Sequence, residues 1–130
     1  KIRTKTISKD GFIFANGDFI LEVLKDIDKL PDNTFDEIVN KYIEMNIAHP
    51  FIEGNGRATR IWLDLLLKNR LKKCIDWSKI NKDEYLSAMK VSHVNPKPIF
   101  SLLKEALTND INNRDIFMKG IDYSYYYEEE

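Results

Sequence analysis

One stretch of the chain gathers most of its reactive side chains: His49-Pro50-Phe51-Ile52-Glu53-Gly54-Asn55-Gly56-Arg57-Ala58-Thr59-Arg60. It holds one of the two histidines and two of the five glycines. Glycine and asparagine tolerate positive φ, so Gly54-Asn55-Gly56 can turn successive backbone N–H groups inward as an anion nest. A helix beginning there aims its N-terminal dipole and unpaired N–H groups at the same place. Arg57 and Arg60, three apart, are neighbours on one helical face, and two guanidinium groups suit the outer phosphates of a nucleotide. Glu53, just before the nest, can give one carboxylate to Mg²⁺, which otherwise keeps phosphate and water ligands. His49 lies four residues before Glu53, where a neutral imidazole can take the proton of an attacking hydroxyl near pH 7. Together these groups describe a site for in-line attack by a hydroxyl on a nucleotide phosphate. Any one of them alone also suits an ordinary junction between two helices with solvated arginines. It is their convergence that favours chemistry. The Gly-Lys-Ser/Thr of a Walker A loop is missing.

The elements that must position this stretch read as helical. The 130 residues are 43% hydrophobic and 32% charged, which fits one folded domain. Lys+Arg 20 against Asp+Glu 21 gives a net charge of −1, so no bulk positive field holds a nucleic acid by charge alone. The single cysteine, Cys74, excludes a disulfide framework and a cysteine-based zinc site and suits a reducing compartment, so a cytoplasmic location is expected. Cys74 and His93, with no base or second ligand at suitable spacing, read as structural. The longest apolar run, Ile61-Trp62-Leu63 and Leu65-Leu66-Leu67 around Asp64, is too short to span a bilayer.

Asp10-Gly11 between β-prone runs predicts a small hairpin over residues 4–15. Phe19, Ile20, Val23, Leu24, Ile27 and Leu30 then repeat at helical spacing up to Pro31. Thr34 and Glu37 form a capping box for a second helix, which Pro50 should end at His49. A third helix starts around Gly54-Asn55-Gly56. With Ile61, Trp62, Leu65 and Leu66 it reads as apolar on most sides, hence central. Asn81 with Glu84 caps a fourth, and Pro98 sits in the first turn of a fifth that carries Ile99, Leu102, Leu103 and Leu107. A last helix is expected from about residue 113. The fold class is all-α, a compact bundle with a hairpin attached.

The stretch from His49 to Arg60 resembles the Fic-domain signature HPFx[D/E]GNGRxxR, every fixed position of which it matches, and the resemblance extends over nearly the whole chain. It implies a Fic-type bundle that transfers AMP from ATP, with Mg²⁺, to a Ser, Thr or Tyr hydroxyl of another protein. By the resemblance His49 is the general base, Phe51 anchors the loop, and Glu53 holds Mg²⁺. Gly54, Asn55 and Gly56 cradle the α- and β-phosphates. Arg57 steadies developing charge and Arg60 takes the γ-phosphate. A kinase-like branch has lysine in place of the second glycine, so Gly56 points to the adenylyl-transferring type. The hairpin becomes a flap that binds the target protein as an added strand. Two readings stand for Lys9, nucleotide contact or protection of a strand edge. Two also stand for Asn46, which either lines the nucleotide pocket or belongs to the helix surface. Lys82 reads first as surface charge.

Ser124-Tyr125-Tyr126-Tyr127-Glu128 resembles the inhibitory motif [S/T]xxxE[G/N] that one Fic class carries at its C-terminal end, although Glu129 stands where Gly or Asn is usual. The resemblance implies an inhibitory helix over about 113–128 in which Ser124 and Glu128 share a face and Glu128 pairs with Arg60. The chain opens on Lys1 rather than Met, and Lys1-Ile2-Arg3 resembles the end of an Ala-Gly-x-x-Arg segment that precedes the flap. Part of the Fic domain is therefore expected upstream of residues 1–130. Glu44 and the C-terminal tyrosines are candidates for a homo-oligomer contact. The competing readings are a non-catalytic nucleotide-binding module, a relative that transfers a different nucleotide or phosphate-linked group, and a helical interaction protein without a nucleotide site.

Overall fold

The structure, a computed structural model, describes residues 2–4, 8–9, 12–13, 17–51 and 55–111. The segments read as the last helix (about 113–128) and the inhibitory pair Ser124 and Glu128 lie outside the described residues, as do Glu53 and Gly54. Helices dominate what is described, as expected.

Two short strands, β1 (Ser8–Lys9) and β2 (Phe12–Ile13), pair antiparallel with Ser8 opposite Ile13 and Lys9 opposite Phe12. Asp10 and Gly11, which stand between the two strands in sequence, lie outside the described residues. The rest of the expected hairpin over 4–15, apart from residue 4, lies outside the described residues, and Ile2, ahead of it, forms an antiparallel bridge to Phe51.

A turn of 3-10 helix (Gly17–Phe19) leads into α1 (Ile20–Asp28), which buries Ile20 and Ile27. Its C-terminal carbonyls, which lack helical partners, are taken by a lysine from the next helix. Lys41 Nζ donates to the carbonyls of Asp28 (3.2 Å) and Leu30 (3.1 Å) and to Asp32 Oδ2 (3.1 Å). Arg70 Nε holds the other oxygen of Asp32 at 3.0 Å. The helix α2 (Phe35–Ala48) opens on the expected capping box: Glu37 N–H donates to Thr34 Oγ1 at 3.1 Å and Glu37 Oε1 accepts from Thr34 N–H at 3.1 Å.

The helix α3 (Asn55–Leu71) packs on α2, and of the four apolar residues named for it Trp62 and Leu66 pack against the core. Ile61 and Leu65 are exposed, and Trp62 and Leu66 are only half-buried. The inward face is Asn55, Thr59, Arg60, Leu63 and Leu67. Because the run Ile61–Leu67 is apolar on both sides, its periodicity does not choose a face; the buried polar residues one and two turns earlier mark it.

Beyond α3, Asn81 Oδ1 accepts from Glu84 N–H at 3.0 Å to start α4 (Lys82–Val91), and proline lies in the first turn of α5 (Lys97–Glu105). Leu107 does not continue α5. It lies in β4 (Leu107–Thr108), paired with β3 (Cys74–Ile75) so that Ile75 faces Leu107. This ladder joins residues about thirty positions apart, which no local pattern announces.

Asp64 on α3 accepts from Ile75 N–H and from Trp77 Nε1–H, each at 2.9 Å. Burial pushes its carboxyl up to about 6 despite both donors. Burial also raises the Cys74 thiol to about 11, with nearby Asp64 adding to it, which suits the structural reading of that cysteine.

The main core gathers Ile38, Val39, Tyr42 and Ile43 of α2 with Leu63, Leu67, Trp77, Tyr85, Ile99 and Leu103. A smaller one joins Ile20, Ile27 and Ala48, and Trp62 packs against both. None of the helices in the described residues is long and apolar enough to cross a membrane.

Candidate active site

The helix α2 ends at His49, which adopts the left-handed conformation with φ 48° and ψ 62°. Pro50 disfavours the right-handed α region for its predecessor, so the helix stops as expected. The backbone reverses through a conformation usually left to glycine. A non-glycine residue there costs of order 1 kcal/mol and persists only when its surroundings impose it. The restraint is visible. His49 N–H donates to the Met45 carbonyl at 3.1 Å, and its own carbonyl accepts from Arg3 Nε. Arg3 Nη2 reaches the Ala48 carbonyl at 2.6 Å, and Arg3 N–H donates to the Pro50 carbonyl at 2.7 Å. Arg3 is 1% exposed. Its cation thus sits at a helix C-terminus, where the dipole favours positive charge, and fixes both peptide groups that flank the His49 turn. The sequence reading placed Arg3 only at the end of an upstream segment.

Across the loop, Asn55 closes the other side. Its Oδ1 accepts from Phe51 N–H at 2.7 Å and its Nδ2 donates to the Phe51 carbonyl at 2.5 Å. Both side-chain groups of Asn55 are therefore spent on the loop. Phe51 is held through its backbone, by Asn55 on one side and the Ile2 bridge on the other. Its side chain is half-buried.

Asn46 is half-buried on α2, with Nδ2 donating to the Tyr42 carbonyl at 2.9 Å and Oδ1 3.4 Å from Thr59 Oγ1. The Thr59 hydroxyl also bonds the Asn55 carbonyl at 2.8 Å. This chain of contacts joins the α2 turn before His49 to the start of α3.

Arg57 and Arg60 both follow the turn, but differently. Arg57 is half-buried, whereas Arg60 is 3% exposed. A Cβ added to Gly56 would stand 2.9 Å from Arg60 Nη1 and 3.4 Å from Nη2. The missing side chain of Gly56 is thus the space the Arg60 guanidinium occupies, and the glycine and the arginine of the signature are one feature.

Lys9 lies in β1, and its side chain is outside the described residues. Lys82 is the first residue of α4 and half-buried, His93 follows α4 and is exposed, and Glu44 is exposed on α2. Among the described residues no group of His, Cys, Asp and Glu is built to hold a metal. An ion carried mainly by phosphate oxygens, with Glu53 alone as protein ligand, would need none. The structure thus brings His49, Asn46, Asn55, Gly56 and Arg57 to one loop and its flanking turns, with Arg60 beneath it. Arg3, Tyr42, Thr59 and Tyr85 are the neighbours that sequence reasoning missed.

Solved structures share this arrangement of elements. The crystal structure of the VirB-translocated effector BepC of Bartonella tribocorum, with bound AMPPNP, superposes with a TM-score of 0.70 at 24% identity, over 82% of this chain and 57% of that one. The N-terminal Fic domain of a putative cell filamentation protein of Bartonella quintana, with bound ADP, gives a TM-score of 0.68 at 23% identity, over 88% of this chain and 58% of its own length. The chain therefore spans rather more than half of these relatives. A model of the Fic/DOC family matches residues 1–67, which include the whole stretch from His49 to Arg60. The chain belongs to the Fic/DOC family.

Proposed function

We propose that this chain transfers AMP from ATP to a Ser, Thr or Tyr hydroxyl of a target protein. Members of the family are typically transferases, and the Bartonella domains were solved with AMPPNP and ADP. The observation that carries the reading is the doubly fixed loop: Arg3 holds His49 from the α2 side while Asn55 holds Phe51 from the α3 side. A general base and a phosphate-binding turn must keep their mutual distance, since misplacement by about 1 Å can cost 10²-fold in rate.

In this reading the imidazole of His49 accepts the proton of the acceptor hydroxyl. The oxygen forms a bond to the α-phosphorus, and the bond from that phosphorus to the oxygen bridging to the β-phosphorus breaks. Pyrophosphate leaves with the electron pair. Backbone N–H groups of the first turn of α3 bind phosphate oxygens along the dipole, Arg57 meets charge that develops on them, and Arg60 takes the γ-phosphate. Mg²⁺ bound at Glu53 would neutralise charge on the leaving pyrophosphate. The target approaches along β1–β2, whose backbone offers an edge for an added strand.

Gly56→Ala separates folding from chemistry. Relief of the helix glycine penalty, up to about 1 kcal/mol, offsets the cost of moving the Arg60 guanidinium off the new Cβ, so stability changes little. Transfer of labelled AMP should fall about tenfold or more at an unchanged melting temperature. Full activity in this variant would detach Arg60 from the reaction.

The same reading makes Glu128 a brake. A carboxylate on Arg60 removes the cation the γ-phosphate needs and leaves ATP in an unreactive pose. Glu128→Gly should raise AMP incorporation about tenfold or more over the unaltered chain. Equal or lower incorporation removes the brake and leaves the transfer itself standing. The transfer is tested by mass spectrometry of a cell lysate treated with Glu128→Gly protein and isotopically labelled ATP. One AMP on a Ser, Thr or Tyr supports it, and labelled ATP consumed with no protein modified opposes it.

A further inference from the structure

We propose that Tyr85 is a positioning residue for Arg60, an aromatic platform that holds the guanidinium in place for the terminal phosphate of a nucleoside triphosphate. The inference rests on the reading of Arg60 as the γ-phosphate cation, and it brings into the site a helix that the family match, ending at residue 67, does not reach.

The Arg60 guanidinium carbon lies 5.7 Å from the centroid of the Tyr85 ring, inside the range in which a cation is drawn to an aromatic face. Arg60 is 3% and Tyr85 2% exposed, so the attraction acts away from water, where it is strongest. A ring face suits this task for a physical reason. A carboxylate partner would cancel the charge that a phosphate needs, whereas a quadrupole orients a guanidinium and leaves its net charge available.

The platform is itself fixed on two sides. The Tyr85 hydroxyl hydrogen-bonds the Tyr42 hydroxyl of α2. Trp77 meets the Tyr85 ring edge-to-face at 5.7 Å and 87°. The Trp77 indole is pinned by Asp64, one helical turn beyond Arg60 on α3. The contacts therefore close a circuit: Arg60 to Tyr85, Tyr85 to Trp77, Trp77 to Asp64, and back to the helix that carries Arg60. Gly56, which also adjoins the guanidinium, leaves the room it occupies. Gly56 and Tyr85 thus both border the guanidinium.

The test compares the affinities of AMPPNP and ADP by calorimetry, in full-length Glu128→Gly protein so that the proposed brake does not compete. The parent should prefer AMPPNP, and Arg60→Ala should abolish that preference. Tyr85→Leu should reduce it about fivefold or more, with ADP affinity little changed, while Tyr85→Phe should keep it. Arg60→Ala combined with Tyr85→Leu should fall no further than Arg60→Ala alone. If Tyr85→Leu does not fold, a trifluorinated phenylalanine at position 85 gives the same reading. It keeps the ring's shape and weakens its quadrupole, so the preference should drop relative to Tyr85→Phe. An unchanged preference in Tyr85→Leu or in the fluorinated protein, or independent losses in the double variant, overturns the platform while nucleotide binding stands. A parent that binds neither ligand, or binds both equally, overturns the assignment of Arg60 and the platform with it.

Discussion

Replacing His49 by asparagine should lower AMP transfer by about 10²–10⁴-fold, the usual contribution of a positioned general base. Asparagine is the informative choice. It tolerates the left-handed conformation that His49 holds at φ 48° better than other non-glycine residues, so the loop and the end of α2 keep their course. Affinity for AMPPNP and the melting temperature should therefore stay close to those of the parent while turnover collapses. Single-turnover transfer measured beside nucleotide binding separates the two. A variant that retains a tenth or more of the parent rate would take the proton-accepting role away from His49. His49→Gly carries the same logic further. Glycine pays no penalty at this position, so that protein should be at least as stable and equally inactive, the mark of strain kept for function.

Arg3→Ala should cost about 3 kcal/mol of stability, because it removes two charge-assisted hydrogen bonds from buried carbonyls and leaves those carbonyls unpaired. The bonds at stake are those to His49 and Ala48. The effect should reach the chemistry as well. Without the guanidinium the reversed peptide at His49 loses its restraint, and transfer should drop about tenfold or more in the protein that remains folded. Arg3→Lys should recover little of either quantity, because an ammonium lacks the planar fork that spans two adjacent carbonyls. Urea unfolding midpoints, with transfer rates corrected for the folded fraction, measure both. Midpoints for Arg3→Ala within a few tenths of a kcal/mol of the parent would show that the turn is held by other means.

What the sequence disclosed and what it concealed divide along the range of the interactions. The Thr34–Glu37 box, the Asn81 cap, the first-turn proline of α5 and the β1–β2 pairing involve residues a few positions apart, and side-chain chemistry alone marks them. The His49–Arg60 stretch was legible for the same reason. Arg3 was not, because its partners lie 45 and 46 residues away. Nor was the pairing of β3 with β4, or the meeting of Arg60 with Tyr85, each of which depends on how the helices pack. The inner face of α3 was hidden for a more specific reason. It opens with the polar residues Asn55, Thr59 and Arg60, and the apolar run that reads as central supplies only Leu63 and Leu67 to the buried face. Apolar periodicity carries no sign of buried polar residues. Asn55 repeats the lesson on a smaller scale. Its position in the signature was readable, but its service as a clasp on Phe51 was not.

The central claim is that a hydroxyl attacks the α-phosphorus of ATP within the loop between His49 and Arg57. Two parallel incubations of Glu128→Gly protein and an acceptor lysate, one with ATP radiolabelled at the α-phosphate and one at the γ-phosphate, test it most directly. The account predicts that the protein label lost with His49→Asn comes from the α-position alone, with the matching γ-label recovered in pyrophosphate. Label carried to protein from the γ-position and lost with His49→Asn would contradict it.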